Sequence, residues 1–198
     1  KKKNKVYIVD NLSTGHKKLV NKKAIFYRIN CGNRSKVNQV LKQNNIKSII
    51  HCAAFIDVVE SEKKPNKYYN NNVMNTKKLL DESVKNKIEN FIFSSSCSVY
   101  GETNNIVSEK TKTLPKSIYG KTKLECEKLI KFYSKKYNFN FGVLRYFNVA
   151  GSDIENKIGC INKTNSLIKN LSQNIAKKKY EISVFGDNYN TKDGTCIR

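Results

Sequence analysis

Short blocks of β-branched and aromatic residues alternate along this chain with longer stretches of helical character, and that alternation restricts the fold more than any other feature. Val6 to Asp10, Ala24 to Ile29, Ser48 to Ala53, Phe91 to Ser95 and Phe139 to Tyr146 read as strands. Arg34 to Asn44, Pro65 to Lys87 and Ser117 to Tyr137 read as the helices between them. Pro65 suits a first helical turn, where its missing N–H has no partner to lose. Strands that alternate with helices need crossover connections, so the expected architecture is α/β, with a doubly wound, Rossmann-type parallel sheet over residues 1–150. After Gly151 the pattern loosens. A helix from Ser166 to Lys179 and a short strand from Ile182 to Phe185 are expected there, as the beginning of a smaller second domain over 151–198.

Composition narrows the class. With 38% hydrophobic residues in 198, the chain can bury a real core. No window is apolar and long enough to span a bilayer, and Lys1 to Lys5 lack the apolar segment of a secretory signal, so a cytoplasmic protein is expected. The six cysteines form no C-x-x-C pair, and His16 and His51 stand far apart, so neither a disulfide framework nor a metal site is expected. The net charge of +22 raises the question of nucleic acid. The lysines are dispersed through the chain, however, without a dense stripe or interleaved aromatics, so a uniformly solvated basic surface is expected and no nucleic-acid partner.

Doubly wound sheets bind ligands at the carboxyl ends of their strands. Those ends read Asp10-Asn11-Leu12-Ser13, Asn30-Cys31-Gly32, Ala53-Ala54-Phe55, Ser94-Ser95-Ser96 and Arg145-Tyr146-Phe147-Asn148. Asp10 can accept both hydroxyl hydrogens of an adenosine ribose, which favours NAD over its 2′-phosphorylated relative. The glycine-rich phosphate loop that should stand about 20 residues before such an acid is absent. Taken alone, Asp10 is equally a helix cap or turn residue.

Tyr119-Gly120-Lys121-Thr122-Lys123 places a phenol and an ammonium on one helix face. Lys123, together with the positive nicotinamide ring, is expected to stabilise a phenolate on Tyr119, which makes Tyr119 the expected base. In a lysine-rich chain an isolated Y-x-x-x-K is more often a surface pair. The hydroxyl run Ser94-Ser95-Ser96-Cys97-Ser98, at the end of the preceding strand, adds a partner that can hydrogen-bond a reacting sugar hydroxyl and pass its proton towards Tyr119.

With these motifs the chain resembles the UDP-glucose 4-epimerases of the extended short-chain dehydrogenase type. The resemblance runs through Val9 to Gly15, His51-Cys52-Ala53-Ala54, Tyr68 to Val73, the serine run, Tyr119 to Lys123, Leu144 to Asn148 and Val184 to Arg198. It implies bound NAD, a UDP-sugar substrate and C4 epimerisation through a transient 4-keto sugar. By position it implies that Asp10, Asn11, Asn30, Cys31, Ala53, Phe55, Asn71, Ser94, Lys123 and Tyr146 border the cofactor. Ser96 and Tyr119 would act on the sugar, and Asn148, Ser166, Phe185 and Arg198 would bind the rest of the substrate. Asn30-Cys31 replaces the family's usual Asp-Ile, and Ser166 replaces its Asn or His. The resemblance further implies a piece that lacks both termini, poorly folded by itself and homodimeric when complete. A related 4,6-dehydratase is disfavoured because Cys97-Ser98 stands where its acidic pair would be. A UDP-glucuronate decarboxylase, a UDP-N-acetylglucosamine 4-epimerase and a non-catalytic NAD-binding relative stay open.

Overall fold

The computed structural model describes residues 4–103, 106–155, 158–159, 161, 166–184 and 186–195. The chain divides into two compact units, Lys1–Phe147 and Asn148–Arg198. Among the described residues the first holds five parallel strands in two groups. Strand β1 (Tyr7–Val9) pairs with β2 (Ile25–Tyr27). Strand β4 (Asn90–Ser96) lies between β3 (Ser48–His51) and β5 (Asn140–Tyr146). All three pairings are parallel, as the strand–helix alternation dictates.

The core forms where the odd residues of β4 meet the helices. Phe91 and Phe93 pack with Val37 and Leu41 of α1 (Arg34–Gln43), Leu79 and Leu80 of α4 (Asn75–Lys85), and Cys126 and Ile130 of α5 (Ile118–Tyr137). Side chains alternate between the two faces of a strand. On the opposite face Ile50 is 70% exposed and Leu144 and Tyr146 are also exposed.

The single helix expected over Pro65 to Lys87 is interrupted. It begins as one turn, α3 (Pro65–Tyr68), widens into a π-helical turn over Tyr69–Met74, and resumes as α4. The wide turn buries Asn72 and Val73 together, and the side-chain bonds of Asn72, described below, account for the detour. A further helix, α2 (Val58–Lys63), lies between the strand expected to end at Ala53 and the helix expected from Pro65. Asp57 caps it by accepting a hydrogen bond from the Glu60 N–H at 2.7 Å.

In the second unit, α6 (Leu167–Ala176) follows Ser166. The strand expected over Ile182 to Phe185 is not formed at 182–184, which joins no sheet among the described residues, and residue 185 lies outside them.

Candidate active site

The site is built around the start of α5. Three of its first N–H groups, which no helix can satisfy internally, are taken by side chains. Ile118 donates to Glu62 Oε1 at 2.7 Å, Tyr119 to Ser61 Oγ at 3.1 Å, and Gly120 to the capping Ser117 Oγ at 3.0 Å. Helix α2 therefore fixes the backbone of Tyr119. Gly120 lets the helix press against the loop after β4: a Cβ there would lie 2.6 Å from the Ser98 carbonyl oxygen. Only a residue without a side chain permits that approach.

This approach brings together the residues picked out from the sequence. Ser96, the last residue of β4, lies close enough to the phenol of Tyr119 to favour its ionised form, while its hydroxyl donates to Ser98 Oγ at 3.1 Å and accepts from the Ser98 N–H at 3.2 Å. Tyr119 is 8% exposed. Its burial raises the phenol above the ordinary tyrosine range, and the neighbouring Ser96 hydroxyl pulls the other way. Lys123 is 2% exposed. Burial lowers its ammonium to about 8.

Lys123 stands near Tyr119, and its hydrogen bond goes to the backbone of β4. The Lys123 Nζ donates to the Ser94 carbonyl at 2.8 Å and sits 4.8 Å from the centre of the Phe93 ring, against 5.9 Å from that of Tyr119. A buried ammonium must be hydrogen-bonded, and the strand-end carbonyl is the acceptor within reach.

The cofactor candidates lie at neighbouring strand ends. Asp10 closes β1 and its Oδ1 accepts from the Leu12 N–H at 2.6 Å, with Leu12 in the left-handed region at φ 59°. A Cβ on Gly15 would stand 3.0 Å from the Asp10 carboxylate, so the turn leaves one edge of that carboxylate open. Asn11 and Asn30 fold their side chains onto the N–H groups of Ser13 and Gly32. Cys31 feels the charge of Asp10, but burial is what chiefly raises its thiol, to about 11. Ala53 is exposed after β3. Phe55 is gripped by Asn72, whose Oδ1 accepts from the Phe55 N–H at 2.9 Å and whose Nδ2 donates to the Phe55 carbonyl at 3.0 Å. The same Nδ2 lies 3.3 Å from Thr122 Oγ1 on α5, and Asn71 donates to Asn72 Oδ1 at 3.0 Å. Tyr146 stands opposite Ser96 in the β4–β5 register and is 44% exposed. Asn148 and Ser166 belong to the second unit, where Ser166 precedes α6 without a side-chain cap. Phe185 and Arg198 lie outside the described residues.

The profile of the NAD dependent epimerase/dehydratase family matches residues 1–198, the whole chain. The chain belongs to this family. The UDP-glucose 4-epimerase of Rhizobium meliloti is 37% identical over 193 residues, a match that covers 96% of this chain and 58% of that protein. Among solved structures, a UDP-glucose 4-epimerase superposes with a TM-score of 0.92 at 40% identity, covering 98% of this chain and 60% of the other. The Brucella ovis UDP-glucose 4-epimerase in complex with NAD gives 0.88 at 35% identity, covering 96% of this chain and 59% of the other. The chain thus spans about three fifths of the length of the relatives it matches.

Sequence reasoning passed over Ser61, Glu62 and Asn72, the residues that hold the start of α5 and the backbone of Phe55 in place. Asp57-Val58-Val59-Glu60 is a capping signal that could have revealed α2. Nothing local marks Asn72, because the partners that its side chain joins to its helix, Phe55 and Thr122, are 17 and 50 residues away.

Proposed function

We propose that this chain forms the cofactor-binding and proton-handling part of a cytoplasmic enzyme that interconverts UDP-glucose and UDP-galactose at C4, and that the whole enzyme works as a homodimer. The observation that carries the proposal is the convergence of Ser96 on the buried phenol of Tyr119, with Lys123 one helical turn further along. It stands in a chain matched throughout by the epimerase family.

The donor set fits NAD. Asp10, with an open carboxylate edge against Gly15, suits the hydroxyls of an adenosine ribose. Asn30, Ala53, Phe55 and Asn71 would line the remainder, and Lys123 would hold the second ribose. When bound, NAD supplies the hydride acceptor and donor for C4.

The chain's own residues handle the proton. Tyr119 takes it from the sugar O4 and returns it after the sugar has turned. Its phenol is raised by burial, so nearby positive charge must favour its ionised form, and Lys123 is the cation of the site. Ser96, beside the phenol, would hydrogen-bond the O4 hydroxyl and orient it towards Tyr119. The buried setting excludes water, which strengthens both interactions. Asn148, Ser166, Phe185 and Arg198 are proposed to hold the uridine diphosphate while the sugar rotates. Cys97-Ser98 offers no carboxylic acid for elimination, which separates this proposal from a dehydratase.

The test is a proton NMR time course of UDP-galactose with the chain expressed with its native flanking sequence. Appearance of UDP-glucose supports the proposal. A 4-keto-6-deoxy product points to a dehydratase, UDP-glucuronate turned to a pentose points to a decarboxylase, and no turnover of any UDP-sugar points to a non-catalytic relative.

A further inference from the structure

Behind the strand ends that carry Ser96 and Tyr146 lies a buried ionic cluster that the proton chemistry does not use. Glu127 of α5 accepts three hydrogen bonds. The Ser95 hydroxyl donates to Oε1 at 2.5 Å, Arg145 Nε donates to Oε1 at 3.0 Å, and Arg145 Nη2 donates to Oε2 at 2.7 Å. The side chains of Arg145 and Glu127 are 20% and 9% exposed; no other ion pair among the described residues has both partners so covered. The guanidinium also lies 4.9 Å from the ring centre of Tyr100, which closes the loop after the serine run.

Each member stands next to a residue of the site. Ser95 precedes Ser96, Arg145 precedes Tyr146, and the two face each other across β4 and β5. Glu127 sits one helical turn after Lys123. Three elements that must agree for Ser96, Tyr119 and Tyr146 to face one cleft are therefore tied at one carboxylate. Desolvation of a buried ion pair roughly cancels its attraction, so stability gives little reason for this one. A bidentate fork has a fixed geometry, and geometry is what it supplies.

We propose that Glu127 and Arg145, with Ser95, are positioning residues that set the strand-end serine and the facing tyrosine relative to Tyr119. The proposal rests on the epimerase function proposed above. In the protein with native flanking sequence and bound NAD, Glu127→Gln keeps the shape but removes the charge that the fork grips. Its kcat should fall about 10- to 100-fold, as sub-ångström misplacement of reacting groups does. KM for the UDP-sugar should stay near that of the parent, because substrate contacts are unchanged. Arg145→Lys retains charge without the fork and should fall between the two, and Ser95→Ala should show a smaller loss of kcat alone. Bound NAD and thermal midpoint are measured alongside. Parent-like kcat in Glu127→Gln overturns the proposal, and so does a loss that follows only lost NAD or a lowered melting point. Inactivity of the parent would count against the function instead. Hydrogen exchange then decides the positioning: faster exchange confined to residues 94–98 and 143–147 in Glu127→Gln supports it, and unchanged exchange there overturns it.

Discussion

Replacing Ser61 by alanine tests whether α2 holds the catalytic helix. Ser61 is fully buried, accepts from the Tyr119 N–H at 3.1 Å and donates to the Val58 carbonyl at 2.6 Å. Alanine removes both bonds and leaves the Tyr119 N–H without a partner in a place water does not reach. An unsatisfied buried donor costs about 1–3 kcal/mol, and a lost helix cap about 1 kcal/mol. Since both describe the same N–H, the expected loss is about 2 kcal/mol and not their sum. Urea denaturation of the protein with native flanking sequence, followed by circular dichroism, measures it as a lower midpoint at unchanged slope. Glu62→Gln is the control: its amide oxygen can still accept from the Ile118 N–H at the exposed rim, and it should behave like the parent. Ser61→Ala should also lose kcat several-fold, because Tyr119 moves with its backbone. A stability loss below about 0.5 kcal/mol, within the range of an ordinary surface change, would refute the anchoring role of α2.

Other perturbations follow from burial. Thr76 gives its hydroxyl proton to the Asn72 carbonyl, so it accepts from Nε2–H of a neutral His51 at 2.8 Å. Burial holds that imidazole down at about 3. The unfolded chain then binds the extra proton first, and stability should fall by about 3 kcal/mol between pH 6.5 and 4 at 1.36 kcal/mol per pH unit. His51→Gln should flatten that acid limb in thermal melts at stepped pH. Lys123 has the same sign at the basic end: its folded value of about 8 lies below the unfolded one, so stability should rise from pH 8 to about 10.5. Lys123→Met should remove that rise, gain about 2 kcal/mol at pH 7 by relieving the buried charge, and abolish turnover. Asn72→Ala frees both backbone groups of Phe55 and should cost about 2–4 kcal/mol by two unmet bonds. It should also weaken NAD binding measured by calorimetry.

Strands and long helices were legible because their residues carry a period: Phe91 and Phe93 alternate into the core, and α5 needs only Ser117 to begin and Asn138, in the left-handed region at φ 54°, to end. Ser96, Tyr119 and Lys123 could be picked out because the proposed reaction needs those groups in that order. The detour at Tyr69–Met74 was not, since it answers to Asn72 contacts made across 17 and 50 residues. The backbone partner of Lys123 was not legible for a related reason. Spacing predicts which side chains share a helix face, but a backbone carbonyl on another strand leaves no trace in sequence. The Glu127–Arg145 pair is hidden likewise, each residue being one more charge in a highly charged chain until the fold brings them together.

The most direct test of the proposed chemistry is the turnover of UDP-galactose by Tyr119→Phe against the parent, each with its native flanking sequence and equal bound NAD. The phenylalanine keeps the packing and removes only the hydroxyl that meets Ser96, so kcat should fall by at least about 100-fold, the usual minimum for losing a general base, with UDP-sugar affinity retained. Turnover by Tyr119→Phe at the parent's rate would contradict the assignment of the buried phenol as the proton acceptor.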